Sequence, residues 1–453
     1  MIVTGTVDPK TTFDLAQGAS SLSGHALLLQ QQDTLGETLA STPGVNSTYY
    51  GPGASRPIIR GLGGDRVRML QDSVGSLDLS NISPDHNVSV EPLLLDRVEV
   101  LRGPATLLYG SSAVGGVVNV VDNRIPLEAP VSPLGGRLET RFDTAAKERT
   151  GVMALTGGDA DFGLQVDGLR TRTDDVKIPG MAQQGPDAPA GQQSGTLPSS
   201  AVSTKSGSVG GTWFGKNGYL GAAIGVYDTT YGVPTGEEPP TSIDMKQRRY
   251  DLRGAIDQPL DPVQSLRVRF GYGDYTHREL SGGDTVNTTF KNKAWEGRLE
   301  LIQERIGALT GTVGLQISRN DFSAAGDEVV TPATVTRTAA AFVLEEYKLE
   351  HVNLQLGGAT NGRISSWARS PTDCLFLMVM PHTLGRRART RARASRRARC
   401  FTRPSFTPWP CRWRSRSACR WRRSCIQTAR TAERRPTRSA GRTWARRTRW
   451  AWI

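Results

Sequence analysis

The segment from Asp96 to Asp122 constrains the fold of this chain more strongly than any other stretch. An apolar, strand-like run from Val98 to Leu101 ends at a Gly103-Pro104 break, and a β-branched run from Val117 to Val121 follows. Several glycines lie between the two runs, and grouped glycines let backbone segments approach one another where side chains would not fit. The pattern therefore predicts two strands in a closely packed domain.

A second glycine-rich stretch, Arg56 to Leu70, reads Arg-Pro-Ile-Ile-Arg-Gly-Leu-Gly-Gly-Asp-Arg-Val-Arg-Met-Leu. Together the two stretches resemble the plug domain of TonB-dependent outer-membrane receptors, and the resemblance runs from about Asp33 to Pro126. It implies an α+β plug domain followed by an antiparallel transmembrane β-barrel that encloses it. The positions that carry the resemblance are Arg60, Gly61, Arg102, Gly103, Pro104, Tyr109, Gly110, Gly115 and Gly116.

From Gly136 to about Leu356, segments of roughly ten residues alternate apolar and polar positions between clusters of Gly, Asp, Asn and Pro. Phe162–Thr173, Gly218–Thr229 and Ser265–Tyr275 are examples. A period of two predicts antiparallel strands, and this spacing is typical of an outer-membrane β-barrel. Taken alone, the period leaves a soluble β-sandwich or solenoid open, but the plug-like segment before it favours the barrel.

We count about eleven strands, whereas the barrel of the resembled family has twenty-two, so about half of a barrel is expected. The stretch 174–200 is rich in Pro, Gly and Gln without any periodicity, which predicts a long extracellular loop. A helix is predicted over Thr34–Ala40 with Asp33 as its N-cap. The predicted domains are a plug (1–130), a half-barrel (131–360) and an aberrant Arg-rich tail (361–453).

The tail differs in composition from the rest of the chain. The net charge is +13, but residues 363–453 contain 25 Arg against two acidic residues, so the preceding part is net negative. All five cysteines and seven of the nine tryptophans also lie in the tail. One interpretation is a disordered basic arm that binds nucleic acid, and the other is translation in a shifted reading frame.

The genetic code allows the second interpretation to be tested on the sequence itself. Reading the codons from Cys419 to Thr437 in a shifted frame permits Pro-Leu-Ala-Pro-Glu-Leu-Tyr-Ser-Asn-Gly-Pro-His, which resembles a mid-barrel signature of the same receptor family. The match falls where the second half of the barrel would continue. We therefore predict a frame change between Gly357 and Ser370, and we do not expect nucleic acid as a partner.

The resemblance implies a location in the outer membrane of a Gram-negative bacterium, with outer-membrane lipid around the barrel. Ile2-Val-Thr-Gly-Thr6 resembles the remnant of a TonB box, through which such receptors contact the TonB energy transducer. No apolar run of 18 residues and no signal peptide are visible. An open half-barrel has two unpaired edges for which lipid offers no hydrogen-bond partners, so we expect aggregation or degradation rather than insertion.

Asp85-His86 is the strongest candidate for a substrate site. A carboxylate beside an imidazole is a minimal pair for a borderline divalent metal such as zinc, although adjacent residues cannot complete a tetrahedral site. The alternative is a Pro84-Asp85 turn with a merely exposed His86. His277 is interpreted as a barrel-surface residue rather than a ligand.

The loop Ser83-Pro-Asp-His86 resembles that of the zinc-uptake (ZnuD-like) branch of these receptors, in which a plug Asp and His bind zinc with barrel Glu and His residues. The resemblance implies Asp85 and His86 as zinc ligands. Glu237 and Glu238 are weaker candidates, in a loop that lacks the histidines often found in that branch. An iron–siderophore or haem substrate stays an alternative. Further segments that share the resemblance are Asp174–Gly180, Tyr231–Pro234 and Ile243–Arg253.

An enzyme is not expected. The chain contains no H-E-x-x-H, no G-x-S-x-G and no P-loop motif. The cluster Gly61-Leu-Gly-Gly64 lacks the spacing of a dinucleotide-binding loop. No resident cofactor is predicted, and a transported divalent metal is the expected ligand.

Overall fold

The computed structural model describes residues 2–3, 10–11, 18–102, 108–110, 112–183, 194–234, 236, 239–283, 285–327, 329, 331–349, 353–367 and 378–382. Most of the predicted tail, 361–453, lies outside these ranges. Within them, no helix combines the length and the apolar character needed to cross a membrane.

The N-terminal part is built on a five-stranded sheet in the order β3-β8-β9-β6-β7, in which β6 and β9 run parallel and the other neighbours antiparallel. Two helices and a small two-stranded sheet surround it. The short strands β1 and β2 pair with one another. The elements are β1 (Ile2–Val3), β2 (Lys10–Thr11), β3 (Ala19–Ser23), α1 (Gly24–Gln30), α2 (Leu35–Leu39), β4 (Val45–Ser47), β5 (Pro57–Ile59), β6 (Val67–Gln71), β7 (Val74–Gly75), β8 (Arg97–Leu101) and β9 (Gly116–Val121), with 3-10 helices at Gly64–Arg66 and Pro92–Leu94.

The two strands predicted around the Gly-Pro break form the centre of this domain. β9 is buried along its whole length, and β8 is buried from Val98 to Leu101. A Cβ on Gly116 would lie 2.7 Å from the carbonyl oxygen of Leu101, so only glycine allows this approach of the two strands. The glycine cluster therefore allows the close approach of backbone segments that the sequence predicted.

Other residues of the plug-like motif fix turns and strand ends. Arg60 and Gly61 both have a positive φ, of 50° and 77°, in the turn that follows β5. Arg102 donates from Nη1 to Ser20 Oγ at 3.1 Å and from Nη2 to the Pro43 carbonyl at 2.9 Å. Gly103 and Pro104 lie outside the described residues.

A sheet of twelve strands follows, and each strand pairs antiparallel with the next one along the chain. Within the described residues, the first and the last of these strands are the two ends of the sheet. The strands are β10 (Leu134–Phe142), β11 (Arg149–Gly158), β12 (Phe162–Arg172), β13 (Val202–Gly215), β14 (Gly218–Val233), β15 (Thr241–Leu260), β16 (Val263–Ser281), β17 (Thr285–Gln303), β18 (Leu309–Gly326), β19 (Thr334–Lys348), β20 (Asn353–Trp367) and β21 (Met378–His382).

The period of two in the sequence becomes two faces of this sheet. On β14, Leu220 and Val226 are about half exposed on the outer face, whereas Tyr227 and Tyr231 are buried on the inner face. An apolar outer face and an inner face that packs on an enclosed domain are typical of outer-membrane barrels. The fold class is therefore the predicted one, an α+β plug followed by the strands of an antiparallel barrel.

The connections between consecutive strands differ in length at the two ends of the strands. Residues 159–161, 216–217 and 261–262 make short turns at one end, whereas 173–201 and 234–240 connect strands at the other. The predicted loop 174–200 is thus a connection between β12 and β13.

The two helices of the plug differ from the sequence prediction. The N-cap of α2 is Thr34 rather than Asp33, and the helix spans only Leu35–Leu39. Helix α1 was not predicted, because Gly24–Gln30 has a single buried residue, Leu27, and hence no apolar period. β20 spans Asn353–Trp367.

Arg298 of β17 anchors the plug to the sheet. Its Nε lies 2.6 Å from Glu300 Oε1 and its Nη1 donates to the Leu108 carbonyl of the plug at 2.7 Å. The guanidinium carbon lies 4.7 Å from the ring centroid of Tyr109 and 4.5 Å from that of Phe342. A buried arginine that pairs with a carboxylate of the sheet and donates to the plug backbone connects the two parts of the structure.

Candidate metal site

The loop that carries His86 is closed at its base by Asp78. One carboxylate oxygen of Asp78 accepts hydrogen bonds from the backbone and hydroxyl of Ser80, at 3.1 and 2.8 Å. The other accepts from the backbone and hydroxyl of Ser89, at 3.0 and 3.1 Å. Since one side chain joins both ends of the loop, the intervening residues are held as a compact unit that faces β14, β15 and β16.

His86 points from this loop into the interface between plug and sheet, where it meets two groups of β16. Its Nε2 lies 3.1 Å from Glu279 Oε1, and His277 Nε2 lies 3.9 Å from the same oxygen. One ligand atom of each residue lies within 4.8 Å of the others. His86 is 1% exposed, His277 0% and Glu279 9%. Three metal-ligating side chains therefore converge in a buried position.

The strand period explains why His277 and Glu279 face the plug together. Residues i and i+2 of a strand point to the same face, so Tyr275, His277 and Glu279 share the inner face of β16. Phe290 is the register partner of His277 on β17, and its ring stacks on the imidazole with centroids 4.5 Å apart. The neighbouring strand thus fixes the plane of the His277 ring.

The hydrogen bond of His86 determines which ring nitrogen is free. Nδ1 lies 3.3 Å from the Leu79 carbonyl, which can only accept, so Nδ1 carries the proton of that bond. The Nε2 lone pair then faces Glu279 Oε1, itself an acceptor. Two acceptors at this distance attract one another only when a proton or a cation lies between them. In metal sites, the ring nitrogen of a histidine that does not bind the metal usually donates to such an oxygen acceptor, often a backbone carbonyl.

The Nδ1 atom of His277 also has a hydrogen-bond partner. Its Nδ1 lies 2.9 Å from the Tyr275 hydroxyl, while its Nε2 is buried without a hydrogen-bond partner. When the tyrosine oxygen accepts from Nδ1, Nε2 keeps a free lone pair that points toward Glu279. An orphaned nitrogen of this kind is costly in a buried site, and a bound cation removes the cost.

Replacing Tyr275 with phenylalanine is expected to weaken zinc binding by about 10–100-fold. This is the usual effect of removing a group that hydrogen-bonds to a metal ligand. The ring packing of Tyr275 is kept, so only the orientation of His277 changes. Competition titration of the full chain with a zinc indicator measures the affinity. An affinity equal to that of the unmodified chain would contradict a role for this hydroxyl.

The geometry fits a borderline divalent metal. Zinc bonds of 2.0–2.1 Å in a tetrahedron place ligand atoms roughly 3.3 Å apart. The contact of 3.1 Å between His86 and Glu279 is close to this separation, and a small shift of His277 brings in the third ligand. Two imidazoles and one carboxylate are a common zinc ligand set that leaves a fourth position open.

The candidate metal ligands predicted from the sequence have different surroundings in the structure. His86 is buried in the cluster rather than exposed in a turn. Asp85 lies beside it, half-buried, but its carboxylate accepts from Ser83 Oγ and is not among the three converging groups. The interpretation of His277 as a surface residue is wrong, because the predicted strand ended at Tyr275. Glu237 and Glu238 lie outside the described residues.

A polar cavity of about 190 Å³ adjoins the His86 loop. The plug contributes Asp65, Asp78 and Asn81 to its lining, and the sheet contributes Glu296 and Asn320. Carboxylates and amides offer oxygen ligands to a hydrated cation. Arg56, Arg68 and Arg363 also line the cavity, whereas His86, His277 and Glu279 do not, so it is a polar space of mixed charge between plug and sheet.

Comparison with known proteins identifies the class of the N-terminal domain. Residues 11–117 match the family described as TonB-dependent Receptor Plug Domain. Together with the sheet, this match gives the chain a TonB-dependent receptor plug followed by barrel strands, as the sequence predicted. The relatives are named as receptors and transporters.

Known proteins resemble the chain in sequence or in structure. A hemin receptor of Yersinia pestis is 32% identical over 120 residues, which are 26% of this chain and 17% of that protein. The copper transporter OprC has a TM-score of 0.62 at 17% identity, over 75% of this chain and 53% of that one. The alcaligin outer-membrane receptor FauA of Bordetella pertussis has a TM-score of 0.61 at 14% identity, over 83% and 60%. The match spans 17% of the hemin receptor, and the chain covers 53% and 60% of the two structural relatives.

Proposed function

We propose that the chain is the plug and first half-barrel of a TonB-dependent outer-membrane receptor that takes up a divalent metal ion, with zinc as the preferred ion. The observation that carries the proposal is the convergence of His86 from the plug with His277 and Glu279 from β16. The cluster lies near the end of β16 that leads to residues 282–284, on the side of the long connections. That side is the extracellular one in such barrels.

The burial of His86 and His277 supports a bare metal ion, rather than a metal chelate, as the substrate. The two imidazoles are almost completely inaccessible, so a haem or a siderophore, each many times larger than an ion, has no access to their nitrogens. The copper transporter OprC is a relative in fold whose name gives a metal ion as cargo. The names of the hemin receptor and the alcaligin receptor support haem or an iron chelate as the second candidate.

The position of the site between plug and barrel also suggests how the ion is released. His86 belongs to the plug and its two partners belong to the barrel, so a movement of the plug loop separates the ligands. In the proposed receptor, TonB supplies this movement through the N-terminal segment that contains Ile2 and Val3.

The tail is part of the same proposal. A frame change between Gly357 and Ser370 would leave the second half of the barrel encoded but untranslated. The Gly-Pro-His of the shifted frame would then supply a barrel histidine to the open fourth position of the site. Resequencing of the gene checks this, and an uninterrupted frame without an insertion or deletion relative to related genes would contradict it.

The proposed substrate predicts that the full 453-residue chain, refolded in detergent without a histidine tag, binds one zinc ion and no haemin. Calorimetry measures zinc, and the Soret band measures haemin. The five tail cysteines are first alkylated with iodoacetamide, because thiolates are zinc ligands in their own right. Saturable haemin binding without zinc binding would contradict the proposal and favour the second candidate.

A further inference from the structure

Tyr231 of β14 reaches across the interface to the plug loop on both sides of His86. Its hydroxyl oxygen accepts a hydrogen bond from the Asn87 backbone N–H at 3.0 Å. The same hydroxyl donates to the backbone carbonyl of Asp85, also at 3.0 Å. One barrel oxygen therefore holds the residue before and the residue after the candidate ligand.

These two bonds restrain the direction in which His86 points. The residues on either side of His86 belong to no helix or strand, so the ladder of a regular element does not fix their peptide planes. Asp78 fastens only the base of the loop, at Ser80 and Ser89. At the tip, rotation of either peptide next to His86 would break a bond to the tyrosine hydroxyl and would turn the imidazole away from Glu279.

The phenol of Tyr231 is rigid enough for this task. Tyr231 is 1% exposed and belongs to an inner-face cluster that includes Tyr227, Met245 and Tyr275. A Cβ on Gly53 of the plug would lie 2.3 Å from the Tyr231 Cβ, so the plug backbone packs directly on the base of this side chain. Tightly packed side chains keep one rotamer, which makes the hydroxyl a fixed point.

We propose that Tyr231 is a positioning residue of the metal site, a barrel hydroxyl that holds the plug loop so that His86 Nε2 faces His277 and Glu279. The proposal rests on the proposed function as a metal receptor and deepens it. Detachment of the loop from Tyr231 and loss of the metal site are then a single event. Tyr231 does not contact the ion and acts only through the backbone next to His86.

The test is Tyr231→Phe in the full chain refolded in detergent, which removes one oxygen and keeps the ring. Zinc affinity is expected to fall by about 10–100-fold, as for other partners that orient a metal ligand. The d–d absorption of bound Co²⁺ is expected to change as His86 is displaced, and hydrogen exchange of residues 85–88 to become faster. The matched control is Tyr250→Phe, whose ring is 44% exposed on the outer face and which should leave all three unchanged.

The outcomes separate this inference from the function on which it rests. If the unmodified chain binds zinc and Tyr231→Phe binds it equally well with unchanged exchange at 85–88, Tyr231 is not a positioning residue. If the unmodified chain does not bind zinc, the proposed function fails first. Should Tyr231→Phe not refold, exchange in the unmodified zinc-bound chain decides, because rapid exchange of the Asn87 amide would overturn the inference.

Discussion

Replacing His86 with alanine is expected to abolish saturable zinc binding, with an affinity loss of more than about 100-fold. Removing a group that hydrogen-bonds to a metal ligand already lowers the metal affinity by about 10–100-fold, and His86 is proposed as a ligand itself. The substitution leaves His277 and Glu279 in place, but two ligands on one strand do not close a tetrahedral site. Calorimetric titration of the alkylated full chain measures the effect.

The matched control for this prediction is His25→Ala. His25 also belongs to the plug, but it is exposed on α1 and takes no part in the cluster. Its loss is expected to leave zinc affinity and stoichiometry unchanged. Equal zinc binding by the His86 and His25 variants would show that the ion binds elsewhere, and the proposed site would be abandoned.

Replacing Arg298 with methionine is expected to lower the free energy of unfolding by about 1–3 kcal/mol, the usual cost of leaving a buried hydrogen-bonding group without its partner. Glu300 keeps Arg269, but the Leu108 carbonyl loses its donor and the two flanking aromatic rings lose their cation. Methionine fills most of the volume, so the effect reports the charge. The urea midpoint, followed by tryptophan fluorescence, is expected to fall.

Arg319→Met provides the control for Arg298. Arg319 pairs with Asp321 two residues further along β18, as Arg298 pairs with Glu300 on β17, but both members of the second pair are 38% exposed. Exposed pairs of this kind contribute little to stability. A similar midpoint for both variants would mean that Arg298 does not anchor the plug. Limited proteolysis of the plug in the Arg298 variant gives an independent readout.

Much of this architecture could be predicted because each part has a local cause. The alternation of β14 and its neighbours produces two faces whatever lies around them. The plug strands were predicted from β-branched runs and from glycines whose small size the structure requires, as at Gly116. Helix α1 and the short span of α2 could not be predicted, since contacts with distant parts of the plug determine them.

The candidate site was predicted only on its plug side. Asp85-His86 was visible as an adjacent pair, whereas His277 and Glu279 acquire meaning only once β16 is known to extend to Ser281. The signal was present in the spacing, because Tyr275, His277 and Glu279 follow the strand period. Their approach to His86, nearly two hundred positions earlier in the chain, depends on tertiary packing that no local pattern encodes.

The central claim is that plug and barrel residues bind one metal ion together. Zinc-edge anomalous diffraction from crystals of the refolded full chain tests it most directly. We predict one peak bonded to His86 Nε2, His277 Nε2 and a Glu279 oxygen, at the usual distances of about 2.0–2.2 Å. A zinc peak at any other position, or an empty space between these three side chains in zinc-saturated crystals, would contradict the account.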